Sequence, residues 1–355
     1  MQSYLTQHLV TEDQLGQVTL SLNRFKEYVS RFPEVIKLTV CPIGSFTSGL
    51  ASKESSSLDL VVCMDGGALT NGLNGDQLAL ALSKGLNDWT ELMNMVHVGG
   101  DSSTLIIETK HDKKLISIHA CKPSTFPIKY LIHSQLFTSY AFCDPRVPPF
   151  VAIVKQWAQS SGFSQTLPTL QCPLTGFHWT VIALYFLIES GVIPNLHMLV
   201  NMFPESTREV FGPLIDRDSY LVVPDASAGR RLTEALKIKP QNMKVIISRF
   251  FGWLSDTDLL STAIDLKTAA ASTQSPFTTK KGWILITDPV RPGVVNTVIT
   301  NQGQKSQVEF AMRLQRTARL VADQTSGLDD SAIDQALLSH GSIGGPTVKV
   351  DKAVP

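Results

Sequence analysis

Gly44-Ser45-Phe46-Thr47-Ser48-Gly49-Leu50, followed by Ser56-Ser57-Leu58-Asp59-Leu60-Val61, is the stretch whose reading decides the fold. Residues 35–43 before it are an apolar, β-branched run of strand type, and residues 58–64 after it form a second strand carrying one carboxylate, Asp59. A strand, a Gly-Ser turn and an acidic strand thus follow one another. Working outward, residues 11–32 place Leu15, Val18, Leu22, Phe25 and Val29 at three- and four-residue steps, an amphipathic helix that Pro33 ends. Residues 66–75 read as a loop, 77–95 as a helix, and 104–110 with 114–120 as a hairpin about His111-Asp112-Lys113. Beyond Asp144-Pro145 the periodicity turns helical over 149–160, 177–190, 241–254 and 308–322, with one late strand at 283–287. The expected domains are an N-terminal helix (1–34) packing on the helical domain, an α/β unit (35–143), the helical domain (144–325) and a tail (326–355).

The quoted stretch resembles the signature G-S-x-x-x-G-L…S-D-L-D-L-V of the polymerase-β-like nucleotidyltransferase superfamily. Four later segments resemble noncanonical poly(A) polymerases and terminal uridylyltransferases in order and rough spacing over residues 35–325. They are Asp144-Pro145-Arg146-Val147-Pro148-Pro149 with Val154-Lys155-Gln156-Trp157-Ala158, then Pro173–Phe177 through Tyr185-Phe186-Leu187 to Ile193-Pro194-Asn195-Leu196, then 245–253 with Arg249-Phe250-Phe251, and 283–289 with Asn296. The resemblance implies an α/β plus α architecture: a polymerase-β-like nucleotidyltransferase palm followed by a mainly helical poly(A)-polymerase-associated domain.

In that family the Gly-Ser turn opens a helix whose amides hold nucleotide phosphates, and three carboxylates hold two magnesium ions. Two cations about 3.5–4 Å apart need several hard anionic oxygens to bridge them. Here the first position of the aspartate pair is Ser57, and the third falls on Ser117 of Leu115-Ile116-Ser117-Ile118-His119, so Asp59 remains alone. Asp65 shares Asp59's strand face but lies roughly 20 Å along it, and His119 offers a nitrogen where magnesium prefers oxygen. The resemblance carries a nucleotide pocket onto Gly44, Ser45, Lys155, Phe177, Asp288 and Asn296. That pocket is eroded, because Gln159, Gly176 and Val295 replace a second phosphate-binding residue, a phosphate-contacting serine and a uracil-favouring histidine. The bland alternatives are turn capping for Asp59, surface charge for Lys155 and core packing for Phe177.

The rest of the composition narrows the function. At 355 residues the chain has 31 basic and 31 acidic side chains, so there is no global field for nucleic acid and any RNA contact must be local. Hydrophobic residues at 43% against 17% charged predict a folded chain with much covered surface. Five scattered cysteines without a C-x-x-C pair fit a reducing, intracellular setting and write neither a zinc site nor a disulfide framework. No membrane span, secretory signal or transit peptide is expected. The reading is a catalytically inactive nucleotidyltransferase-like subunit of an RNA-processing or ribosome-building assembly, with protein and RNA partners, no metal and no cofactor, and mitochondria as one setting. The alternative is an active RNA uridylyl- or adenylyltransferase using magnesium and a displaced carboxylate such as Glu108. A third is a nucleotide sensor in which Lys155, Ser45 and Phe177 share a cleft.

Overall fold

The computed structural model describes Asn23, Glu27 and residues 37–51, 58–65, 92–98, 104–109, 115–121, 128–164, 174–199, 220–260, 262–269, 285–290, 295–297 and 304–325. The expected N-terminal helix, apart from Asn23 and Glu27, the loop at 66–75 and the tail lie outside them.

Five strands form one sheet: β1 (Lys37–Ile43), β2 (Leu58–Asp65), β3 (Leu92–Val98), β4 (Thr104–Thr109) and β5 (Leu115–Cys121), in the order β1-β2-β5-β4-β3. Only β2 and β5 run parallel. Helix α1 (Gly44–Thr47) follows β1, and α2 (Ile128–Cys143) follows β5. Side chains alternate along a strand, so Val61, Cys63 and Cys121 share one face, where they cluster with Ile43 and pack against Tyr130 and Leu131 of α2. The opposite face, Leu58, Leu60, Val62, Ile116, Ile118 and Ala120, is buried as well. Strand β3 corrects the helix expected through residue 95: Leu92–Val98 pairs with β4 and brings a fifth strand.

The helices are α3 (Val147–Ser160), α4 (Gly176–Glu189), α5 (Leu196–Leu199), α6 (Ala226–Ala235), α7 (Met243–Asp256) and α8 (Gln304–Thr325), with a short hairpin of β6 (Leu285–Thr287) and β7 (Val295–Thr297). Pro148 and Pro149 fit the first turn of α3, where backbone N–H groups lack helical acceptors. Just before it the Asp144 carboxylate accepts from the Arg146 amide at 2.8 Å and from its guanidinium at 2.8 and 2.6 Å, so Asp144-Pro145-Arg146 is a local clamp that starts the helix. Trp157 of α3 packs against Phe163, Trp179 of α4 and Phe251 of α7, and Phe163 against Phe310 of α8. Trp179 Nε1 donates to the Phe163 carbonyl at 2.8 Å, which satisfies the one polar atom of a fully buried indole. Residues 179–188 are all buried, which explains a hydrophobic run with little polar interruption.

The chain folds into two compact units. One takes residues up to Pro148 and Leu196–Leu236, apart from the first eight; the other takes Pro149–Asn195 and everything from Lys237. In the sheet-bearing unit a Cβ on Gly229 would overlap the Phe142 carbonyl, so α6 lies directly on the α2 backbone. Tyr220 adds hydrogen bonds from its hydroxyl to the Ile132 carbonyl and Gln135, both at 3.2 Å.

Candidate functional site

In the sheet-bearing unit the β1–α1 turn, Asp59 and Ser117 come together. Parallel pairing of β2 with β5 sets Asp59 in register with Ser117, so the two stand side by side on one sheet face, and Ser117 is buried. Gly44, directly after β1, has φ +75, a left-handed conformation, and a Cβ on it would sit 2.5 Å from Asp59 Oδ2. Glycine is required twice there, by the backbone angle and by the carboxylate that closes over it. The Gly44 amide donates to Ser134 Oγ of α2 at 2.8 Å, and Ser134 donates to the Tyr130 carbonyl at 2.8 Å. One amide of the expected phosphate cradle is thus used internally, while Ser45 sits part-exposed in the first turn of α1. Ser57 lies outside the described residues.

His119 stacks on Tyr130 with centroids 4.6 Å apart, which makes it a packing residue of the sheet–α2 interface. Strand β4 pairs Ile106 with Ser117 and Glu108 with Leu115. The Glu108 backbone therefore stands two strands across and two residues along from Asp59, about 12 Å away. Among the described residues no group of three His, Cys, Asp or Glu side chains is placed to hold a metal. Among the described residues, one carboxylate beside a neutral hydroxyl supplies fewer anionic oxygens than the pair of divalent cations implied by the resemblance demands.

In the other unit, Lys155 is 3% exposed, which corrects its alternative as a surface charge. Its chain lies along the start of α4: a Cβ on Gly176 would be 3.3 Å from Lys155 Cε and 3.9 Å from Nζ. Gly176, where the family carries a serine, leaves the room the lysine occupies. Phe177 is part-exposed beside His178, outside the core of buried residues, so core packing does not describe it either. His178 Nδ1 accepts from the Thr175 amide at 3.0 Å, and burial lowers its pKa to about 4, so the ring is neutral and acts as a helix cap. Asp288 is buried and accepts from the Val290 amide at 2.9 Å, which makes its carboxylate part of the turn after β6. Asn296 lies in β7, paired with Ile286. Two contributors went unseen in the sequence. Ser134 is 90 residues from the glycine it serves and has no local signal, whereas Thr175-x-x-His178 has capping-box spacing and was there to be read.

No family model matches the sequence, and no curated protein is similar to it. Solved structures are. A GLD-2/RNP-8 complex superposes with TM-score 0.67 at 14% identity, covering 94% of this chain and 95% of that one. The chain has the noncanonical poly(A) polymerase fold. An mtPAP structure in complex with UTP gives TM-score 0.67 at 17% identity, covering 95% of this chain and 71% of that one. A Cid1 poly(U) polymerase structure gives 0.64 at 16%, covering 95% and 96%. At these identities the shared property is the fold, the polymerase-β-like nucleotidyltransferase architecture that the Gly44–Asp59 stretch implied. Among the described residues no helix of this nucleotidyltransferase fold is long and apolar enough to cross a membrane.

Proposed function

We propose that this chain keeps a nucleotidyltransferase fold without nucleotidyl transfer and serves as an RNA-associated subunit of a larger RNA-processing or ribosome-building assembly. The observation that carries the reading is the pairing of Asp59 with Ser117. With Ser57 in the sequence, a single carboxylate would have to gather two cations and a triphosphate of roughly −4 charge, and removing one transition-state charge group commonly costs about 10²–10³ in rate. Removing two leaves background activity. Protein partners are in keeping with a neighbour solved as a GLD-2/RNP-8 complex, and a mitochondrial setting with the likeness to mtPAP.

The test is primer extension with purified full-length protein, single-stranded RNA, each of the four nucleoside triphosphates, and magnesium or manganese. No extension is expected. Extension that disappears in Asp59→Ala would overturn the proposal and restore an active terminal transferase.

A further inference from the structure

The whole chain is electrically balanced, so a polyanion has to be met by a local excess of cations. One segment supplies it. Between Glu234 and Asp256 the sequence contains no carboxylate, yet it holds Lys237, Lys239, Lys244 and Arg249. Lys237, Lys239 and Arg249 are exposed and Lys244 part-exposed, on the connection into α7 and its first turns. Arg249 donates to the neutral Gln241 Oε1 at 2.9 Å. Among the described residues no carboxylate lies within ion-pair distance of any of the four; the pairs present there join Arg146 to Asp144 and Arg319 to Asp256 and Asp323.

Lys237 adds an independent observation. Its φ of 54 makes it the one non-glycine residue in the left-handed region among those described, directly after the C-cap Leu236 of α6, where glycine is the unstrained choice. A cation near a helix C-terminus gains from the helix dipole, but a lysine inside the last turn would supply that with ordinary backbone. The charge is held where the backbone favours its absence.

We propose that residues 237–249 form a surface for the phosphate backbone of single-stranded RNA, an inference that rests on the RNA association argued above. An acidic protein partner fits less well, because stable protein interfaces need an apolar centre and Val245 is the segment's one exposed large hydrophobic side chain. Phosphate contacts need cations and water-facing geometry, which is what the segment offers.

The experiment is fluorescence anisotropy of a 20-nucleotide oligo(U) RNA with the full chain between 50 and 200 mM KCl. Each phosphate contact on a single strand contributes about 0.7 to the slope of log K against log salt. Lys237→Gln/Lys239→Gln/Lys244→Gln/Arg249→Gln should therefore flatten the slope by about 3. Lys237→Gly alone should flatten it by about 0.7 without lowering the melting temperature, an outcome that partial unfolding cannot imitate. A quadruple variant that binds with the wild-type slope overturns the surface and leaves RNA association standing elsewhere on the chain. Patch-dependent capture of polyglutamate in preference to RNA overturns it in favour of a protein partner. Wild type that fails to bind RNA at 50 mM salt defeats both this inference and the reading beneath it.

Discussion

The β1–β2 corner and the entrance to α4 hold their polar side chains in opposite ways. At the corner the backbone device is intact: Gly44 at φ +75, the Asp59 carboxylate folded over it, the Ser134 hydroxyl on its amide and a parallel neighbour strand in register. Beside Asp59 in that register stands the buried hydroxyl residue Ser117. At α4 the charge-bearing Lys155 is present, but Gly176 has let it settle against the helix start, and His178 caps Thr175 there. Gly44 and the Asp59 carboxylate meet at close range within the sheet-bearing unit, whereas Lys155 lies along a helix start.

The comparison is broken most directly at Gly44. Gly44→Ala should destabilise the chain by about 3 kcal/mol, from the left-handed strain plus the encounter with Asp59. Gly49→Ala, at φ +69 with open space around it, should cost only about 1 kcal/mol. Urea denaturation of both variants measures the gap; equal losses would mean that the carboxylate does not close over the turn.

Next, Ser57→Asp with Ser117→Asp rebuilds a triad of carboxylates around Asp59. Without metal their mutual repulsion should lower stability near neutral pH. Magnesium at one hundred times its Kd should return about 2.7 kcal/mol, and wild type should gain almost none of it. Thermal melts with and without magnesium decide the matter, and equal gains would mean that positions 57 and 117 do not converge on Asp59.

The α4 entrance is sharpened through pH. With the folded His178 pKa near 4 and an unfolded value near 6.5, the unfolded chain binds the proton first as pH falls. Stability should therefore drop between about pH 6.5 and pH 4 and level off below. The part-exposed ring should bring the loss to about 2 kcal/mol. His178→Asn should flatten that stretch of the profile, and an unchanged profile would assign the acid sensitivity elsewhere. The smallest effect belongs to Gly176→Ser, whose added Cβ meets a flexible lysine at 3.3 Å and should cost under about 1 kcal/mol in a urea titration.

How much of this was legible depends on how local the signal is. Strands β1, β2, β4 and β5 and helices α3, α4, α7 and α8 all carry their own periodicity, and the Asp59–Ser117 juxtaposition followed from matching two short strands to one pattern. Helix α2 did not announce itself, because Ile128–Cys143 is packed on several sides and its apolar residues fall on no single stripe. Helix α6 is ten residues long and contains Gly229, whose value lies in a contact with a segment more than eighty residues away. The burial of Lys155 was illegible for a related reason. Charge argues for the surface, and the tertiary contact with the start of α4 that shelters Lys155 leaves no local trace in the sequence.

The same register that pairs Asp59 with Ser117 runs on to pair Cys63 with Cys121, one thiol hydrogen-bonded to the other under α2. Burial and that neighbour push Cys121 up to about 12, so at neutral pH it holds essentially no thiolate to react. An alkylating reagent added to the native chain should pass these sulfurs by and capture them only when the sheet opens. The protein thus carries a built-in clock for its own unfolding, readable by mass spectrometry in a crude mixture and without any engineered label.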